Sequence, residues 1–185
     1  AREALEAAAA GLVPALVSSG DPGVYGMAGL VLGLAPDYPG VEVEVVAGVT
    51  AALSGAARLG SPLANDFAVL SLSDLLTPRE QIEARLRALA ATDLVLCLYN
   101  PGSHRRRHAL SWAVDIILCH RPPDTPCGWT RQTGRAGEAW GTLDLAGLRD
   151  FPADMGVTLF VGSRATRLVA GRLVTRRGYR EEPCG

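Results

Sequence analysis

Two apolar runs near the start of the chain, each leading through a glycine-containing loop into a helical pattern, constrain the fold most strongly. Leu12 to Val17 precedes the loop SSGDPG, and the alternating run Val41 to Val46 precedes Gly48-Val49-Thr50. Helical patterns follow at Tyr25 to Leu34 and from Gly48 to about Leu59. A strand that runs into a Gly-rich loop and then a helix is the repeating unit of α/β folds. The first third therefore predicts an α/β domain that binds ligands beyond the carboxyl ends of its strands.

A second α/β block follows a predicted linker at Gly60-Ser61-Pro62, so we expect two domains, 1–63 and 64–185. The later elements should build a mixed sheet, because short β-like runs separated by turns replace the earlier strand–helix alternation. The predicted strands are 67–72, 94–98, 127–131, 138–143, 157–161 and 168–175, and the clearest helix is 109–118. Thr77, Pro78 and Glu80 predict a capping box at the start of another helix, with Thr77 as N-cap.

The first domain has too few predicted strands to form a stable sheet by itself. It opens with a helix tail at 3–10, closed by Gly11, and then offers only two predicted strands. Two-stranded sheets are rarely stable alone. We therefore expect either a preceding segment or another chain to complete this domain.

The composition of the chain indicates a globular protein but does not indicate a particular function. Hydrophobic residues make up 48% of the 185, and the net charge of −1 gives no indication of a nucleic-acid-binding protein. The four cysteines have no metal-ligand spacing, and no metal site is expected. No apolar run is long enough to span a membrane and no signal peptide opens the chain, so the prediction is a reduced, cytoplasmic protein without membrane contact.

Three motifs could bind a ligand, and each has a simpler interpretation. Asp21 in the SSGDPG loop could accept hydrogen bonds from hydroxyl or amino groups, although Asp-Pro-Gly is also an ordinary turn. Thr50 follows small residues that leave space for a bulky ligand, or it simply caps a helix. The arginines 105–107 lie between His104 and His108, and they could form a solvated face, bind phosphate or nucleic acid, or pair with carboxylates.

The order and spacing of these motifs resemble the tetrapyrrole (corrin/porphyrin) methylases over essentially the whole chain. The segments are SSGDPGVYGMAGLV, AGVTAALSGAARLGSPLANDFAVLSLSDLLTP and LYNPGSHRRR. The stretch SLSDLLTP with LYNP is similar to the branch that methylates ring carbon 17 of precorrin-3B with ring contraction. The closing GVTLFVGSRATR and LVTRRGY fit the same branch.

The resemblance implies a two-domain α/β fold with S-adenosylmethionine in the interdomain cleft and a first domain that lacks its usual opening strand. It also implies a cytoplasmic homodimer of cobalamin and porphyrin biosynthesis, acting on a small-molecule tetrapyrrole and not on nucleic acid. The cofactor contacts that it implies are Gly20, Asp21, Val24, Thr50, Ala51, Tyr99, Asn100, Thr133, Gly134, Gly162 and Ser163. One departure is Ala47, which stands where the family generally has Pro.

Ring contraction requires proton transfer, and His104, Asp74 and His108 are the candidate acids or bases by residue type. Arg105, Arg106 and Arg107 are the candidates for pairing with the acetate and propionate groups of the substrate. Two other functions remain open: methylation at another corrin position, and non-catalytic tetrapyrrole binding.

Overall fold

The computed structural model describes residues 1–102 and 108–178. It divides into two compact units, Ala1–Ala51 and a larger one from Ala52 onward. The domain boundary at residue 63 remains a prediction from the sequence.

The first unit contains helices α1 (Arg2–Ala9) and α2 (Ala28–Leu34), a 3-10 turn (Ala35–Asp37) and long irregular segments. Helix α1 ends before Gly11 as predicted, since Gly11 adopts a φ of +88° that suits a residue without Cβ. The predicted strands at 12–17 and 41–46 were wrong, because neither segment pairs with a strand in the described structure. An apolar run becomes a strand only where a neighbouring backbone can satisfy its N–H and C=O groups.

Helix α3 (Ala51–Leu59) lies at the start of the second unit, which contains all of its residues except Ala51. The second unit is built around a five-stranded mixed sheet. Its strands are β2 (Phe67–Ser71), β3 (Val95–Tyr99), β4 (Pro126–Arg131), β5 (Ala139–Asp144) and β6 (Val157–Val161). Their order in the sheet is β2-β3-β6-β4-β5; β2 and β3 are parallel and the other neighbours antiparallel. A small second sheet, of order β1-β8-β7, consists of β1 (Gly60–Ser61), β7 (Thr166–Val169) and β8 (Arg172–Thr175). These results confirm the predicted mixed α/β fold.

Helices cover both faces of the large sheet because successive strand residues point to opposite sides. On β6, Leu159 packs into a core with helices α4 (Arg79–Ala90), α5 (Ala109–Leu118) and α6 (Leu145–Leu148). The next residue, Phe160, packs on the other face against α3 and against Leu173 of β8. Cys97 of β3 belongs to this second core, and the side chains of Leu159, Phe160 and Cys97 are all fully buried.

The capping box predicted at the start of α4 was wrong. Pro78 is the N-cap residue, with an extended backbone (φ −55°, ψ 140°) and no side-chain cap. Thr77 therefore lies one residue too early to cap the helix, and Glu80 lies one residue too early to complete the box.

Candidate functional site

The Asp21 carboxylate connects the two motif loops of the first unit. Its Oδ1 accepts the backbone N–H of Gly23 at 2.8 Å, and its Oδ2 accepts the N–H of Gly48 at 2.9 Å. The hydrogen bond from Gly48, and after it the one from Gly23, lowers the pKa of Asp21 below its ordinary value. Asp21 is therefore ionised at neutral pH, and it holds the SSGDPG loop to the Gly48-Val49-Thr50 loop.

Glycine is required where these loops meet. A Cβ on Gly48 would overlap the carbonyl oxygen of Gly20, so the two backbones touch with no space for a side chain. Gly20 itself has a φ of +80°, and a Cβ there would lie 3.5 Å from the Cα of Thr50. The structure thus brings predicted contacts Gly20, Asp21, Thr50 and Ala51 into one cluster.

Ser18, which opens the first loop, was not among the predicted contacts. Its Oγ is buried and has no hydrogen-bond partner within the described residues. An unsatisfied buried hydroxyl is unfavourable and is often found where a ligand or water completes the structure. Only a structure could reveal this, since serine is common in such loops.

In the second unit, predicted contacts Tyr99 and Asn100 lie at the carboxyl end of β3. The hydroxyl oxygen of Tyr99 accepts the backbone N–H of Ala52, in the first turn of α3, at 2.7 Å. Asn100 has a φ of +53°, and its Nδ2 donates to Oγ of Ser71, the last residue of β2, at 2.8 Å. The ends of two parallel strands and a helix N-terminus thus meet here, an arrangement at which α/β proteins bind ligands.

Thr133 and Gly134 lie in the turn between β4 and β5. The Gly134 N–H donates to Oε2 of Glu138 at 2.6 Å, and the same carboxylate pairs with Arg58 of α3, with Nε and Oε1 2.5 Å apart. The turn is thus tied to the C-terminal end of α3.

Gly162 and Ser163 follow β6 and are both buried. The Ser163 Oγ lies 3.3 Å from Oγ1 of Thr166 and accepts the N–H of Ala165 at 3.3 Å. The Gly162 carbonyl accepts a 2.7 Å hydrogen bond from Nη1 of Arg121. Their polar groups therefore already have partners inside the protein.

Arg121 is a structural residue that the sequence did not reveal. Its side chain is buried, and it donates to the carbonyl oxygens of Gly162, Thr92 and Leu94 at 2.7, 3.1 and 2.7 Å. Burial lowers the pKa of this guanidinium, and nearby Asp93 opposes the effect. Arg121 thus holds the end of β6 beside the segment that enters β3.

The candidate acids and bases are only partly described. Asp74 is exposed in the loop after β2. The predicted cofactor contact Val24 directly follows the SSGDPG loop, and its N–H donates to the carbonyl of Asp21 at 3.2 Å. His108 is the exposed N-cap residue of α5 and borders a surface cavity of about 370 Å³, also lined by Pro101, Ser111 and Arg149. His104 and Arg105, Arg106 and Arg107 lie outside the described residues.

Residues 1–102 and 108–178 contain no cluster of three or more His, Cys, Asp or Glu side chains that could hold a metal ion. Over the same residues, no helix has both the length and the apolar character needed to cross a membrane.

Residues 1–148 match the family described as Tetrapyrrole (Corrin/Porphyrin) Methylases. A probable cobalt-factor III C(17)-methyltransferase of Methanothermobacter thermautotrophicus is 44% identical over 97% of this chain and 50% of its own length. The chain thus spans about half the length of that relative. A protein of the same description from Salmonella typhimurium is 42% identical over 95% of this chain and 73% of its own length.

Solved structures of methyltransferases have a fold similar to that of this chain. The methyltransferase CobJ superposes with a TM-score of 0.87 at 36% identity, over 95% of this chain and 74% of that one. A uroporphyrin-III C-methyltransferase of Thermus thermophilus, complexed with S-adenosylhomocysteine, has a TM-score of 0.57 at 27% identity over 77% of this chain and 62% of its own. The chain belongs to the tetrapyrrole (corrin/porphyrin) methylases.

Proposed function

We propose that this chain carries out S-adenosylmethionine-dependent methyl transfer in cobalamin biosynthesis, at ring carbon 17 of precorrin-3B or its cobalt counterpart, with ring contraction. The observation that carries the proposal is the hydrogen bond from Gly48 to Asp21, which unites the two loops that the family resemblance assigns to the cofactor. The names of the relatives support the reaction and the substrate class.

The residues present suit S-adenosylmethionine, whose hydroxyl, amino and carboxylate groups require both acceptors and donors. An ionised carboxylate has about four lone-pair sites, more than the backbone hydrogen bonds from Gly48, Gly23 and Val24 use at Asp21, and the buried Ser18 Oγ has no partner within the described residues. Small residues at Gly20, Gly48 and Ala51 allow a ligand to approach the backbone closely. The proposed cofactor contacts in these loops are Gly20, Asp21, Val24, Thr50 and Ala51. The family resemblance adds Tyr99, Asn100, Thr133, Gly134, Gly162 and Ser163.

When bound, the cofactor supplies an electrophilic methyl group on its sulfonium. The tasks of the protein are then to position the acceptor carbon and to exclude water, because an electron-rich ring carbon needs no strong base for attack. The ionised Asp21 contributes a fixed loop geometry and a negative charge near a cationic ligand.

The remaining assignments are proposals from the sequence. Arg105, Arg106 and Arg107 would pair with substrate carboxylates, and His104, Asp74 or His108 would move protons.

We also propose a cytoplasmic homodimer. The exposed apolar side chains of the first unit support self-association, since Val13 is 99% and Val17 is 90% exposed. Light scattering at several concentrations tests this, and a monomer throughout would contradict it.

Calorimetric titration with S-adenosylhomocysteine tests the cofactor assignment. We expect binding by the wild type, loss of binding in Asp21→Ala and unchanged binding in Asp37→Ala, which removes an exposed carboxylate of the same unit outside the loops. Transfer of labelled methyl groups to cobalt-factor III or precorrin-3B then tests the reaction. A folded protein that binds the tetrapyrrole without S-adenosylhomocysteine would instead favour the non-catalytic function.

A further inference from the structure

The hydroxyl group of Tyr99 has a task that the cofactor assignment does not include. Its oxygen lies 2.7 Å from the backbone nitrogen of Ala52, although 47 residues separate the two in sequence. Ala52 is the second residue of α3, so its N–H is one of the donors that the helix itself cannot satisfy. The side chain of an N-cap residue usually supplies such an acceptor. Here the acceptor comes from the end of strand β3.

This bond acts on a helix that is also fixed farther along. Gly55 lies so close to the sheet that a Cβ there would be 2.6 Å from Oγ1 of Thr130 and 3.0 Å from the ring of Phe160. At the other end, Arg58 pairs with Glu138, and Arg172 donates to the Arg58 carbonyl. Helix α3 is thus held along its whole length, and Tyr99 is its attachment at the N-terminal end.

The position of that attachment connects it with ligand binding. Ala52 directly follows Thr50 and Ala51, which belong to the proposed cofactor contacts, and Tyr99 directly precedes Asn100, which is another. A shift of the first turn of α3 away from the end of β3 would break the hydrogen bond from Ala52 to Tyr99.

We propose that Tyr99 is a positioning residue whose hydroxyl fixes the first turn of α3 and so sets the affinity of the adjoining site for its ligand. This inference rests on the proposed function. It adds that the phenol oxygen, as the acceptor of the Ala52 N–H, acts through the helix.

Tyr99→Phe removes this oxygen and keeps the ring. We expect the Ala52 amide to exchange with solvent hydrogen about fivefold faster or more, as loss of a helix cap would produce. We also expect the dissociation constant for S-adenosylhomocysteine, and the KM for S-adenosylmethionine, to rise about fivefold with kcat nearly unchanged.

Two variants provide controls, and all measurements are made well below the melting temperatures. Tyr38→Phe removes a phenol oxygen outside the proposed site and should change neither exchange at Ala52 nor affinity. Leu86→Ala creates a void in the core around α4, where Leu86 is fully buried, and should lower stability without changing affinity. A positioning role is thereby separated from a general loss of stability.

The outcomes are distinct. Faster exchange at Ala52 together with weaker binding in Tyr99→Phe supports the proposal. Unchanged exchange, or faster exchange with unchanged affinity, overturns it while leaving the proposed function intact. Failure of the folded wild type to bind S-adenosylhomocysteine overturns the proposed function, and the positioning role with it.

Discussion

The backbone N–H of Gly48 donates to Oδ2 of Asp21 at 2.9 Å across 27 residues of sequence. The same carboxylate accepts the N–H of Gly23, so one side chain organises both loops of the first unit. This explains why an aspartate follows glycine in the first motif and why glycine begins the second. The Asp21 carboxylate accepts N–H groups from both loops, and the close approach of the backbones excludes a Cβ at position 48.

Asp21 should titrate below the ordinary aspartate range. The N–H groups of Gly48 and Gly23 stabilise its charged form, so its folded pKa lies below 3.8. A lowered folded pKa contributes stability above the unfolded pKa, and this contribution is lost as pH falls through the folded value. Carbon-detected NMR titration of the Asp21 carboxyl between pH 7 and about pH 2 measures this directly. A midpoint above 3.8 would contradict the observed hydrogen bonds.

Gly48→Ala should disrupt the proposed cofactor cluster. The added methyl group would overlap the Gly20 carbonyl and approach the Asp21 Cα. Because these are backbone atoms that cannot rotate away as a side chain can, the two loops must separate. We expect S-adenosylhomocysteine binding to fall by about tenfold or more, the result of roughly 1.4 kcal/mol or more of lost positioning. Gly33→Ala, in α2 where a Cβ meets nothing within 4 Å, is the matched control. It should retain affinity and raise the free energy of unfolding by about 0.5–1 kcal/mol.

Arg121→Met should destabilise the second unit. It leaves the carbonyls of Gly162, Thr92 and Leu94 without their donor in a buried setting. Loss of hydrogen bonds from a buried charged group should lower the free energy of unfolding by about 2–4 kcal/mol. Arg149→Met removes a surface arginine that is 46% exposed and pairs with Asp115, and it should cost at most about 1 kcal/mol. Urea unfolding of both variants checks the difference, and equal losses would refute the structural role of Arg121.

The described cysteines should differ sharply in reactivity. Burial raises the pKa of Cys97 and of Cys127 to about 12, so neither thiol forms appreciable thiolate at pH 8. Cys119 is exposed at the end of α5. Alkylation of the native protein at pH 8, followed by peptide mass spectrometry, should label Cys119 and spare the other two. Labelling in denaturant is the control, and native modification of Cys97 at a similar rate would show that its core is open.

Most of the second unit could be predicted because its patterns are local. Helix α5 spans Ala109–Leu118 and β6 spans Val157–Val161, both as the sequence indicated. Long apolar periodicity bounded by turn residues specifies such elements whatever they pack against. The start of α4 was missed by one residue, because the choice of N-cap depends on the backbone angles of Pro78 and these are not visible in residue types.

The structure of the first unit and the contacts of the site could not be predicted from local sequence patterns. Val41 to Val46 has the alternation of a strand, but a strand exists only when a partner pairs with it, and the described structure provides none. The sequence by itself determined the family, the motif residues and the mixed α/β class, because order, spacing and periodicity are properties of the chain. Only the tertiary structure decided that Asp21 joins two loops, that Tyr99 caps α3 and that Arg121 holds the end of β6. Each of these depends on atoms that are distant in sequence, and only folding makes them neighbours.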